Sequence, residues 1–219
     1  MADLRRQVYD ANFGIFRAGL VTMHSGNASA IDSRREVVLI KPSGVDYEKL
    51  TPDMLVAVDL EGNAMVTGSD GDHLKASVDL PHHLYLYRHC RDIGGVIHTH
   101  SNYATSFALL GKPVPAYLTA MADEFGGDIP CIPYTDNQGD NIGQAIVAAR
   151  TKAPAVLLAN HGVFTFGPDV RAAFKAAVML EDVSKTCHLA MLLGKPEPLP
   201  AAEVRKWYER YHTTYGQKK

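Results

Sequence analysis

The chain has 219 residues, 46% of them hydrophobic, and a formal net charge of −2. That length buries a sizeable core within one domain, and the missing basic excess removes the electrostatic case for nucleic acid or an anionic membrane surface as partner. No apolar run approaches the roughly 20 residues that span a bilayer. Met1-Ala2-Asp3-Leu4-Arg5-Arg6 is no apolar leader, and Cys90, Cys131 and Cys187 are odd in number and widely spaced, so a reducing cytoplasm is expected.

In chain order, Leu4, Val8, Ala11, Ile15 and Phe16 keep a helical period, which predicts a first helix capped by Asp3 and stopped at Gly19. The turn Ser25-Gly26-Asn27-Ala28-Ser29 leads to a strand over Glu36–Ile40, closed by Lys41-Pro42-Ser43-Gly44. Leu55–Val58 and Ala64–Val66 flank Asp59-Leu60-Glu61-Gly62-Asn63 and read as a hairpin. Ser77-Val78-Asp79 opens a helix with Pro81 in its first turn, where a missing N–H costs nothing. A helix is predicted from Tyr103 to Leu110, a weak strand over Pro115–Leu118, and a helix through Ile146 and Val147 capped by Asp140 or Asn141. Ala155–Ala159 is a fully apolar strand, Val163–Phe166 another, and the longest helix runs from about Val170 to Leu193 with Gly194 as its stop. A last short helix surrounds Trp207. Hairpins alternating with helices predict an α/β domain with a mostly antiparallel or mixed sheet, undivided over residues 1–219.

The chemistry concentrates at Gly94-Gly95-Val96-Ile97-His98-Thr99-His100. Residues two apart on a strand share a face, so His98 and His100 point the same way at a strand end. Two neutral imidazoles on one face make half of a tetrahedral zinc site, with each nitrogen about 2.0–2.1 Å from the metal. Taken alone, the pair reads first as two hydrogen-bonded surface histidines, and the rest of the chain has to reverse that reading. His161, delivered by the apolar strand within Asn160-His161-Gly162, supplies a third nitrogen. Asp79 is either a fourth ligand or the N-cap of the helix it opens. His82 and His83 read as exposed helix residues rather than partners of Asp79, and the other histidines as structural or surface residues.

Gly26-Asn27-Ala28-Ser29, Lys41-Pro42-Ser43-Gly44-Val45, Asp79, His98-Thr99-His100-Ser101 and Asn160-His161-Gly162 occur in this order. As an ordered set they resemble the class II aldolase and sugar-phosphate epimerase family, which also contains the adducin head domain. The resemblance implies a three-layer α/β/α domain and a Zn2+ site, with Mn2+ or Co2+ as other divalent occupants, on His98, His100, His161 and Asp79. It implies substrate contacts at Gly26, Asn27, Lys41, Ser43, Gly44, Ser77 and Val78, and a homotetramer with active sites at subunit interfaces. Within the family the epimerase branch is closest: Asp79 stands where aldolases carry Glu, Ala122-Asp123-Glu124-Phe125 matches that branch, and the chain closes on Tyr215-Gly216-Gln217. Asp123 and Tyr215 are then the implied acid/base pair.

The implied reaction inverts carbon 4 of a pentulose 5-phosphate. That carbon is not adjacent to the carbonyl, so the route breaks and re-forms the bond between carbons 3 and 4, with zinc stabilising the enediolate half. One departure from the family pattern concerns the phosphate: Lys75-Ala76-Ser77-Val78-Asp79 replaces one hydroxyl donor with Val78. The competing readings are a sugar-phosphate aldolase, a dehydratase of the same family and a non-enzymatic adducin-like scaffold, and retention of all four implied ligands argues against the last.

Overall fold

The computed structural model describes residues 1–216; Gln217, part of the expected closing motif, lies outside them. Seven strands form one sheet in the order β3-β2-β1-β4-β7-β6-β5: β1 (Asn27–Ile31), β2 (Val38–Ile40), β3 (Val56–Val58), β4 (Gly95–Thr99), β5 (Cys131–Ile132), β6 (Ala155–Leu158) and β7 (Gly162–Gly167). Only β5 and β6 pair in parallel, so the expected mixed, mostly antiparallel sheet is found.

Helices cover both faces. Helices α2 (Leu80–His89) and α5 (Asn141–Ala149) pack on one face against Val38, Ile40, Val96, Val156, Phe164 and Phe166. Helices α1 (Ala2–Arg17) and α6 (Val170–Leu193) lie on the other, against Ala28, Ala30, Leu39 and Ile97. There α3 (Asn102–Leu109) and α4 (Thr119–Phe125) also pack beneath Ala155, Leu157 and Val163. Helix α7 (Ala201–Thr213) docks on α4, with Val204 against Ala116 and Ala122. Alternate residues of each strand enter opposite cores, which is why strands such as β6 are apolar throughout rather than alternating.

Several local expectations change. Asp3 sits inside the first turn of α1 rather than capping it, because the helix already starts at Ala2. The Ala64–Val66 arm reduces to a bridge between Ala64 and Val58. Pro115–Leu118 is not a strand; a single bridge joins Val114 to Ile129 there, and α4 begins at once, a helix too short for its pattern to show in the sequence. The start of α6 is fixed by Asp169, whose Oδ1 accepts from the Ala172 N–H at 2.8 Å. Among the described residues, no helix is long and apolar enough to cross a membrane. The cysteines are unbridged.

Gly95 lets β4 lie against the first turn of α6: a Cβ there would fall 2.4 Å from both the Val170 Cα and its backbone N. Since backbone cannot yield as a side chain does, Gly95→Ala is expected to cost about 1–3 kcal/mol and lower the thermal midpoint by roughly 2–4 °C per kcal/mol. Gly127→Ala, which meets nothing within 4 Å, is the control and should stay within about 0.5 kcal/mol. Equal thermal midpoints for the two variants would contradict the packing described.

Candidate metal centre

Three neighbouring pieces of backbone converge on one point. Strands β4 and β7 pair antiparallel with His98 opposite Phe164 and Thr99 opposite Val163. Strands β6 and β7 form a tight hairpin with Leu158 opposite Gly162, and His161 stands in its loop. Asn160 takes a positive φ of 58° in that loop, a conformation asparagine tolerates better than most residues. The strand beside β4 is therefore β7, and His161 reaches the histidine pair from the hairpin loop rather than from the end of an adjacent β6. Gly162 permits the approach: a Cβ there would lie 2.6 Å from His100 Cδ2 and 2.5 Å from the Thr99 carbonyl oxygen.

The imidazoles of His98, His100 and His161 each offer a nitrogen, and these atoms all lie within 4.8 Å of one another. His98 Nδ1 donates to the Val163 carbonyl at 2.9 Å, which leaves Nε2 as the lone-pair nitrogen. The Nε2 atoms of His98 and His100 are 3.0 Å apart. Two nitrogens bound tetrahedrally to one zinc at normal distances sit about 3.3 Å apart, so the spacing suits a shared cation. Burial pushes the His98 imidazole down to about 4 despite the opposing pull of Asp79. His100 and His161 are also lowered, by burial first. The three rings are thus neutral at pH 7, as metal ligands must be. His98 also lies against the Phe164 ring, with centroids 4.6 Å apart and planes 25° from parallel.

Asp79 occupies the N-cap position of α2, but its side chain makes no capping bond. Its Oδ2 instead accepts from Asn27 Nδ2 at 2.6 Å and Ser77 Oγ at 3.4 Å. Burial alone would raise its carboxyl; the His98 and His83 imidazoles and the Asn27 hydrogen bond outweigh that and hold it below the usual range. It lines the same cavity as the three histidines but stands outside the set of mutually close nitrogens. Asn27 Nδ2 also lies 3.0 Å from Ser77 Oγ, so its donors serve Asp79 and Ser77, and only its buried Oδ1 is unpartnered.

The cavity has a volume of about 220 Å³, and the expected substrate residues Gly26, Asn27, Lys41, Ser43, Gly44, Ser77 and Val78 all line it. Its rim is made by segments 41–44 and 75–79 running side by side: Ser43 N–H donates to the Lys75 carbonyl, and Ser77 N–H to that of Lys41. Lys41 is 1% exposed. Its Nζ donates to the His24 carbonyl at 3.3 Å and lies 4.8 Å from the Tyr47 ring centroid. Burial lowers its ammonium to about 8, against the pull of Asp46. Val78 is 69% exposed at the rim, a hydrophobe where the family pattern has a hydroxyl.

Two expected residues are not brought to this cavity. Asp123 belongs to α4, and Tyr215 follows α7, 58% exposed with its ring stacked on Tyr211 at 5.0 Å. Neither lines the cavity. The two sit instead on the packed α4–α7 pair, where His212 Nε2 donates to the Asp123 carbonyl at 3.1 Å. Asp123 Oδ1 is buried without a partner among the described residues.

The exposed reading of His82 and His83 is corrected, for both are fully buried. Each helix position faced the sheet, which imidazole polarity concealed. His83 Nδ1 lies 2.7 Å from Ser29 Oγ, which lies 2.7 Å from the Tyr87 hydroxyl, and burial brings its imidazole down to about 3. Sequence reasoning also missed Asn137, a loop residue lining the cavity with no motif to mark it. A larger cavity of about 660 Å³ beside Asp3, Asp32 and Arg34 holds no comparable convergence of ligands among the described residues.

Residues 6–188 match the class II aldolase and adducin N-terminal domain. The whole chain aligns, at 38% identity and over the full length of both partners, with the L-ribulose-5-phosphate 4-epimerase UlaF of Salmonella paratyphi C (strain RKS4594) and that of Salmonella choleraesuis (strain SC-B67). A solved L-fuculose 1-phosphate aldolase superimposes with a TM-score of 0.85 at 26% identity, covering 97% of each chain. The L-fuculose 1-phosphate aldolase from Glaciozyma antarctica PI12 shares the fold, with a TM-score of 0.82 at 21% identity over 95% of this chain and 81% of its own. The mixed seven-stranded sheet, the histidine cluster at its centre and these matches lead to one conclusion: the chain belongs to the class II aldolase and adducin N-terminal domain family.

Proposed function

We propose that the protein epimerises carbon 4 of L-ribulose 5-phosphate to give D-xylulose 5-phosphate, by breaking and re-forming the bond between carbons 3 and 4 at a divalent-metal centre. The observation that carries this reading is the convergence of three neutral imidazoles beside a rim of Lys41, Ser43, Gly44 and Ser77. The substrate is taken from the full-length relatives named as epimerases.

His98, His100 and His161 would hold the ion, with Asp79 as the acidic fourth ligand oriented by Asn27. When bound, zinc or another divalent ion would supply Lewis acidity that stabilises negative charge on the substrate as the bond breaks. The rim amides and hydroxyls hold the phosphate, with Lys41 as a nearby positive charge. As the bond breaks, a base takes the proton of the carbon 4 hydroxyl and an aldehyde forms. The aldehyde turns about its phosphate anchor and is attacked on its other face, and an acid returns a proton to the new oxygen. Two acid/base groups on opposite faces are required, and Asp123 and Tyr215 fill those roles. Since both lie away from the cavity of their own chain, they act on that of a neighbouring copy in a cyclic homotetramer, from the α4–α7 corner. A cytoplasmic location accords with the unbridged thiols.

The second reading, an aldolase on the same centre, is favoured by the superposition on L-fuculose 1-phosphate aldolase. It differs in releasing the aldehyde. Product analysis decides: L-ribulose 5-phosphate should give D-xylulose 5-phosphate with little free glycolaldehyde phosphate, whereas stoichiometric aldehyde or preference for L-fuculose 1-phosphate establishes the aldolase.

Elemental analysis of protein purified without chelator should find about one divalent ion per chain. His100→Ala should lose both ion and turnover; full metal and activity in that variant would remove the assignment. Asp123→Asn and Tyr215→Phe are each expected to lower turnover by about 10²–10⁴ with metal content retained. Mixing inactive His100→Ala and Tyr215→Phe chains should restore part of the activity, and a fully active monomer in the ultracentrifuge would exclude the shared site.

Lys41 sets an alkaline limit. Its pKa near 8 means that the cation is present below that pH and lost above it. KM for the sugar phosphate should therefore rise as pH passes through about 8, and Lys41→Met should show a higher KM without that rise. An unchanged alkaline limb in Lys41→Met would assign it to another group.

A further inference from the structure

Asn137 borders the metal cavity but has no part in the chemistry described above. It lies in the loop between β5 and α5, and its Oδ1 is 2.5 Å from His82 Nε2. An amide oxygen only accepts, so His82 carries its proton on Nε2. His82 is fully buried in the first turn of α2, edge-on to Phe164 at 6.4 Å, and its Nδ1 has no partner. Among the described residues Asn137 makes the only hydrogen bond of this buried ring. Without that bond both ring nitrogens would be buried and unpaired, a costly state that keeps the amide oxygen turned to His82.

The same bond decides what faces the cavity. With its oxygen committed, Asn137 keeps the two N–H donors of Nδ2, which have no protein acceptor among the described residues. In the proposed reading the phosphate is held by the rim of Lys41, Ser43, Gly44 and Ser77, which leaves the hydroxyls of the sugar as the acceptors for Asn137.

We propose that Asn137 is a substrate-binding residue whose amide N–H donates to a hydroxyl oxygen of the sugar, and that His82 is the positioning residue that aims it. The inference rests on the sugar-phosphate reading of the cavity and adds a hydroxyl contact apart from the phosphate rim. Asn137 is exposed, so water replaces a hydroxyl that an analogue lacks, and the discrimination is that of one neutral hydrogen bond.

The test uses metal-loaded protein and titration calorimetry with L-ribulose 5-phosphate, L-fuculose 1-phosphate and inorganic phosphate, alongside steady-state kinetics. Asn137→Ala should weaken binding of the sugar phosphate about 3- to 10-fold, the scale of one neutral hydrogen bond, and raise KM more than it lowers kcat. Affinity for inorganic phosphate should not change. His82→Phe keeps the ring and removes Nε2–H; it should reproduce the loss and add nothing further in the double variant. If His82→Phe does not fold, Asn137→Ala decides alone. Sugar affinity equal to that of the unmodified protein overturns the proposal, as does an equal loss of phosphate affinity. If the unmodified protein binds the sugar phosphates but epimerises none, the epimerase reading fails while the affinity comparison still decides Asn137. Failure to bind either sugar phosphate removes both.

Discussion

The pairing of β4 with β7 is the constraint on which the centre depends. It sets His98 opposite Phe164, lets His98 donate to the Val163 carbonyl, and brings the β6–β7 hairpin loop with His161 beside the strand end that carries His100. A one-residue slip of that register would turn His98 to the α1–α6 face, because side chains alternate along a strand. The register is held by burial on both faces, with Val96 and Phe166 in one core and Ile97 in the other. The apolar layers thus fix a polar site that contributes little cohesion of its own.

The electrostatics follow from the same burial. Desolvation holds the imidazoles neutral, and neutral nitrogens with lone pairs turned inward are prepared for a cation. Asp79 is the counter-element, a buried carboxylate kept ionised by Asn27 and the surrounding rings. Behind them the Ser29–His83–Tyr87 chain and the His82–Asn137 bond fill polar positions in the layer between α2 and the sheet. That layer is where this fold spends stability on geometry, since His82 Nδ1 and His83 Nε2 stay buried there without a partner among the described residues.

The residues of the proposed chemistry stand in two regions. The cavity gathers the candidate metal ligands and anion donors, while Asp123 and Tyr215 stand on the α4–α7 corner. A proposed neighbouring subunit joins the two, and the exposed ring of Tyr215 and the unpartnered Asp123 Oδ1 are compatible with an incomplete half. The rim carries Val78 in place of a hydroxyl, so in the proposed reading phosphate recognition leans on Ser43, Ser77, backbone amides and the perturbed Lys41.

By itself the amino-acid sequence determined the long helices α1, α2 and α6, the apolar strands, and the pair His98 and His100, because hydrophobic period and two-residue spacing are local properties. The ordered motifs also determined the family and most residues that line the cavity. Tertiary structure decided what depends on distant neighbours. It placed His161 on a hairpin loop beside β7, released Asp79 from capping by offering Asn27 as partner, and buried His82 and His83 on a helix face that looked polar. It turned Pro115–Leu118 from strand to loop, since the bridge of Val114 to Ile129 leaves those residues without a partner strand. It also brought Asn137 to the cavity through a contact with His82, 55 residues away in sequence. No local pattern encodes such a contact, because it exists only once α2 is packed on the sheet and the loop after β5 closes over it.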